Sequence, residues 1–125
     1  MIAIKIPTVT YAYEGENLVE KKDEIIVNVD PSFKSHLNWE KHFQDLKNGV
    51  DLSEMVGLVN EWIKDDKTAK KHFTDLLRVL YCFINSPKLP SFEDFVSILD
   101  VNNIEAVVNK ISAVIQEVGK HTSKN

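Results

Sequence analysis

The feature that most constrains this chain is a change of hydrophobic period at Asp30-Pro31. Ahead of it, Ile2, Ile4 and Ile6 alternate with Ala3 and Lys5, the two-residue repeat of a strand with one buried face. Beyond it, apolar residues recur at the three- and four-residue spacing of helices. A chain built this way makes a small sheet first and then covers it with helices. The expected fold class is therefore mainly α (α+β): an N-terminal hairpin or meander followed by a bundle of about five helices. At 125 residues one domain suffices. Its expected limits are 1–120, with 1–29 β-rich, 30–120 helical and 121–125 a frayed tail.

Thr8 to Tyr13 continues the first segment with β-branched and aromatic residues, Glu14-Gly15-Glu16-Asn17 supplies turn chemistry, and Ile25 to Val29 reads as a second strand. Pro7 has no amide proton to give a neighbour, so the first segment is an edge strand or two short pieces. Asp30 and Pro31 then read as the cap and first residue of a helix. In that helix Phe33, Leu37 and either Phe43 or Leu46 share one face, and Asn48-Gly49 ends the segment. Trp39 lies off the stripe, where it either widens the core face or stands exposed as an anchor for a partner.

A second helix is expected after Asp51 or Ser53, with Met55, Val56, Val59, Trp62 and Ile63 inward, broken at Asp65-Asp66-Lys67. The third runs from about Thr68 to Ile84 and becomes apolar nearly all round, as the centre of a bundle must. Pro87 and Pro90 end it. Ser91-Phe92-Glu93-Asp94 is a near capping box that opens a short helix carrying Phe95, Val96, Ile98 and Leu99. After a loop at Asp100 to Asn103, a last helix places Ile104, Val108, Ile111, Ile115 and Val118 at steps of four and three, the spacing of a helix–helix seam.

Chemistry is harder to find. The single Cys82 sits in an apolar run and allows no internal disulfide, so it reads as a small buried hydrophobe. His36, His42, His72 and His121 form no His-Glu-x-x-His pair; His36 and Glu40 could share a hydrogen bond on one helix face. The scattered glycines build no phosphate loop, and the serines build no Gly-x-Ser-x-Gly elbow. Carboxylates such as Asp65-Asp66 and Glu93-Asp94 fall where helix ends want negative charge. No enzyme activity, metal or cofactor is expected. A net charge of −4 without a basic stripe argues against nucleic acid. No run approaches the roughly 20 apolar residues of a membrane span, and the amino terminus has no signal-peptide pattern, so a cytoplasmic protein is expected.

One arrangement carries a resemblance. A β-rich start leads into Phe33-Lys34-Ser35-His36-Leu37-Asn38-Trp39-Glu40, then the apolar helix Leu76 to Phe83, then Leu89-Pro90-Ser91-Phe92-Glu93-Asp94-Phe95, and last an amphipathic helix. This layout resembles the tail assembly chaperones of long-tailed (siphovirus-type) phages and prophages, and the likeness extends over most of the chain. The resemblance implies a non-catalytic protein that holds the helical tape-measure protein and helps recruit tail-tube subunits, in the host cytoplasm. It also implies a longer product by ribosomal slippage, for which Ser123-Lys124-Asn125 admits a suitable run of A-rich codons. Trp39, Trp62, Ile104, Ile111 and Val118 are the candidate partner contacts, each equally readable as core. The competing reading is a small acidic adaptor, antitoxin or immunity-type protein that masks one basic partner. A third is a homo-oligomer using the stripe from Ile104 to Val118 as its seam.

Overall fold

In the computed structural model, residues 2–30, 32–85, 90–100 and 104–122 are described, with the backbone alone at residues 2, 104 and 118–122. Two long strands, β1 (Ile2–Glu14) and β2 (Asn17–Val29), form an antiparallel hairpin about a turn at Gly15-Glu16. Gly15 takes φ +65, the left-handed conformation that a side chain resists. Six α-helices follow among the described residues: α1 (Lys34–His42), α2 (Leu52–Trp62), α3 (Asp66–Lys71), α4 (Phe73–Phe83), α5 (Phe92–Ser97) and α6 (Ile104–Thr122). A short 3-10 turn, Asp45–Lys47, joins α1 to α2 and ends at Asn48 and Gly49, both with positive φ. The α+β class and the leading hairpin are as the sequence predicts.

Residues paired across the hairpin share a face, so one face of its root carries Ile4, Ile6, Val27 and Val29, all buried. These join one hydrophobic cluster with Leu76, Val79, Leu80 and Phe83 of α4, Met55 and Val59 of α2, and Val107, Ile111 and Val114 of α6. Burying each such side chain stabilises by roughly 1.5–3 kcal/mol over leaving it in water. α4 touches α1, α2, α3, α5 and α6, the central place its apolar circumference predicts. α6 lies against β1.

The hairpin root is also gripped at both edges. Val9 donates its N–H to the Ile98 carbonyl at 2.9 Å and Asp100 donates to that of Pro7 at 3.2 Å. On the other side Asp30 donates to the Phe83 carbonyl and Asn85 to that of Asn28, each at 2.8 Å. Pro7 therefore does not split the strand: its ring nitrogen points outward, opposite Glu24, where no ladder donor is required. The second strand is also longer than expected, because Leu18 to Glu24 pairs through although neither of its faces is buried.

Three further features depart from expectation. Asp30 does not cap a helix; its Oδ1 accepts from the Ser32 N–H at 2.9 Å in a local turn, and α1 starts later, at Lys34, with no side-chain cap. Pro31 itself is outside the described residues. The inner face of α1 is Ser35, Trp39 and, just past its end, Phe43; Phe33 and Leu37 point to solvent at 73% and 55% exposure. The Trp39 indole N–H donates to the Val50 carbonyl at 2.8 Å, and the Asn38 amide donates to that of Cys82 at 3.1 Å, which fixes this rotation. The expected helix from Thr68 to Ile84 is two, α3 and α4, divided at His72. There the imidazole stacks on the Trp62 ring, centroids 4.0 Å apart and planes 9° from parallel.

The cap at Ser91 forms as its near capping box predicts. Asp51 is the one of the two expected starts that caps α2, and Asp65, expected as a break, caps α3. Their side chains accept from the N–H groups of Asp94, Glu54 and Thr68. α5 stops at Ser97, ahead of Ile98 and Leu99, which instead flank β1. α6 runs through His121 and Thr122, two residues that the sequence places in the polar tail. Residues 123–125, with the slippage site placed there, lie outside the described residues, as does the loop at 101–103.

Candidate protein-binding surface

The core beneath α1 and α5 is aromatic. Phe43 meets Phe92 edge to face at 5.1 Å, and Tyr81 meets Phe92 at 5.4 Å and Phe95 at 5.7 Å. Such tilted pairs set each ring's positive edge against another's negative face. The Tyr81 hydroxyl donates to the Pro90 carbonyl, anchoring the approach to α5. Burial pushes the Tyr81 phenol above its ordinary range.

Over this floor lies a depression of about 500 Å³. Phe43, Leu46 and Phe92 give it apolar walls; His42, Arg78, Ser91 and Glu93 rim it. Leu46, expected as a possible core residue, stands at its edge 67% exposed. Lys47 and Arg78 hold the neighbouring backbone in place. Both donate to Asp75, at 3.0 and 2.7 Å, tying the 3-10 turn to α4. Since Asp75 is 9% exposed, this is a largely buried ion network whose members need one another. On α1, outside the lining of this depression, Phe33 and Leu37 stand one helical turn apart, with the His36 ring stacked on Phe33 at 5.3 Å. No hydrogen bond joins His36 to Glu40 among the described residues.

The second exposed apolar surface is the far half of the hairpin. Beyond Val9, the paired residues Tyr13 and Leu18 share a face with Tyr11 and Glu20, and Tyr11, Tyr13 and Leu18 are 54%, 74% and 56% exposed.

The structure scatters the five residues singled out from the sequence. Trp39 and Ile111 are core, 1% and 0% exposed, and present nothing to a partner. Trp62 is half-buried under His72. The side chains of Ile104 and Val118 are outside the described residues, while Val108 and Ile115 between them are buried. The middle of the α6 stripe is thus a seam within the chain. Phe33 and Leu37, placed on the apolar face by the same periodicity, are exposed, and of the two alternatives for its third member Phe43 is buried and Leu46 exposed.

Nothing reactive converges among the described residues. Cys82 is 1% exposed, and burial pushes its thiol up to about 12, far from the thiolate that nucleophilic work needs. No group of three or more His, Cys, Asp or Glu side chains among the described residues could hold a metal ion. A smaller cleft of about 200 Å³ between α3 and α6 has Asp66 and Glu105 beside Lys70 and Asn109, mixed charges suited to solvent. No helix among the described residues is long and apolar enough to cross a membrane. Comparison of the chain with protein-family models, curated proteins and solved structures finds no match.

Proposed function

We propose that this chain is a non-catalytic binding protein of the tail assembly chaperone kind, receiving an apolar helical segment of a tape-measure protein over α1, the 3-10 turn and α5. The observation that supports this is Leu46, exposed at the edge of an aromatic-floored depression, with Phe33 and Leu37 also exposed on α1. Exposed large side chains next to a concavity suit helix-in-groove recognition, in which anchors from one apolar helix face enter a groove. Many modest contacts of this sort give reversible binding, as a chaperone that must leave requires. Tail-tube recruitment and action in the host cytoplasm belong to the same reading.

Co-expression with a tape-measure protein encoded beside this chain tests it. The expected result is a soluble complex that elutes as one species, lost when Leu37 and Leu46 are both replaced by Glu. Unchanged tape-measure solubility with no co-eluting complex overturns the proposal. One observation favours the adaptor or immunity-type reading instead: residues 11–20 hold Glu14, Glu16 and Glu20 and no Lys or Arg. In that case the tape-measure experiment fails, and a basic partner is retained at low salt through the hairpin tip and released at high salt.

A further inference from the structure

The depression between the end of α1, α4 and the start of α5 is lined mainly by rings. Among the described residues Leu46 is its one aliphatic wall, against His42, Phe43 and Phe92. These rings belong to an array in which one ring's edge meets another's face. Phe43 meets Phe92 at an interplanar angle of 74°, Tyr81 meets Phe92 at 80°, and His42 meets Tyr81 at 84°. The array is open on this side, since Phe92 is only half-buried and Leu46 is largely exposed. A further ring entering here gains an edge-to-face contact beyond what its buried area contributes. An aliphatic chain of similar size gains the area alone.

The rim narrows the choice of occupant. Arg78 and Glu93 carry opposite charges on it, so it favours neither an anionic nor a cationic anchor. Arg78 gives Nη1 to Asp75 at 2.7 Å and its Nε is buried, which leaves little of the guanidinium edge for a carboxylate. The flat face of a guanidinium bonded in this way still suits an aromatic ring. Glu93 is exposed and makes no ion pair among the described residues, so its carboxylate can accept from a donor such as an indole N–H. A neutral ring with one polar hydrogen therefore matches both the floor and the rim. We infer that this depression takes a tryptophan side chain from the apolar face of the partner's helix. The inference rests on the reading of this surface as a helix-binding site and adds the chemistry of its central anchor, the position where binding energy concentrates.

The test uses the full chain and two small probes, N-acetyltryptophanamide and N-acetylleucinamide. Each is titrated to about 20 mM while aromatic and amide NMR signals are followed, a range that captures millimolar binding. The tryptophan probe should shift the Phe43 and Phe92 signals and bind about two- to tenfold more tightly than the leucine probe. Leu46→Glu, at an exposed position that should leave the circular dichroism unchanged, should weaken the tryptophan probe about threefold or more. Phe92→Leu keeps an apolar wall but removes the ring, and should bring the two probes to nearly equal affinity. The inference is overturned if the tryptophan probe leaves Phe43 and Phe92 unshifted, or if wild type binds both probes alike. A tryptophan preference that survives Phe92→Leu in a folded variant overturns it too. A tape-measure complex that forms while the probes bind alike sinks this inference and leaves the chaperone reading standing. Probe selectivity without such a complex leaves the pocket and removes the chaperone reading.

Discussion

Trp39 shows how much one side chain decides. It is 1% exposed, fills the space between α1 and the start of α2, and gives its one polar hydrogen to the Val50 carbonyl. Trp39→Phe keeps much of the volume but strands that part-buried carbonyl, at a cost of about 1–3 kcal/mol for an unsatisfied acceptor, plus a smaller cavity term. Urea denaturation should show the loss as a lower midpoint with unchanged slope. At the other end of α1, the backbone hydrogen bond from Ser32 holds the Asp30 carboxyl below its ordinary value of 3.8, with help from the Ser32 side chain and Lys34. A depressed carboxyl stabilises the fold above its unfolded value and loses that contribution as pH falls through the folded one. Asp30→Asn keeps an oxygen for the Ser32 N–H but cannot titrate. Its urea midpoint should therefore fall less steeply than wild type's as pH drops below 3.8. Equal slopes in the acid range would show that Asp30 plays no part in the linkage.

At the scale of elements, the faces were not legible and the caps were legible only in part, since Asp30 closes a local turn and caps no helix. Asp51 and Ser91 announce helices because their carboxylate and hydroxyl accept N–H groups only three residues away, a local interaction that sequence spacing contains; Asp65 does the same for α3 although it reads as a break. The rotation of α1 is decided elsewhere. Its nine residues lie between Phe33 and Phe43, so two stripes compete: Phe33 with Leu37, or Ser35 with Trp39 and Phe43. Trp39 of the winning stripe donates to the Val50 carbonyl and its neighbour Asn38 to that of Cys82, partners that spacing cannot reveal. The break at His72 was hidden for a similar reason, since its imidazole is held by Trp62 from another helix. The polar stretch Glu20 to Glu24 showed no alternation because a strand with both faces in water has no face to mark. The corrected rotation makes its own forecast. Leu37→Gln should change stability by no more than about 0.5 kcal/mol, as exposed substitutions do. A loss of several kcal/mol in thermal or urea unfolding would place Leu37 in the core after all.

For the molecule as a whole, the class, the leading hairpin and the central helix could be read from period and composition. The exposed surface could not, because exposure is what remains after distant elements have chosen their neighbours. The clasp at the hairpin root is the clearest case of such distance. Thr8 bridges to Leu99 and Val29 to Ile84, so the grip on each strand comes from the far half of the chain. That separation has a temporal side. On a ribosome the first strand is made before the segment that grips it, and at about 5–20 residues per second Leu99 follows Thr8 by on the order of ten seconds. For that interval the hairpin's apolar root is an unguarded template in a crowded cell. Pulse-labelling hydrogen exchange during refolding should find the Val9 and Asp100 amides protected later than those within α4. Simultaneous protection would mean that the clasp closes with the helices. With such a delay, the nascent chain carries an unshielded apolar strand through most of its own synthesis.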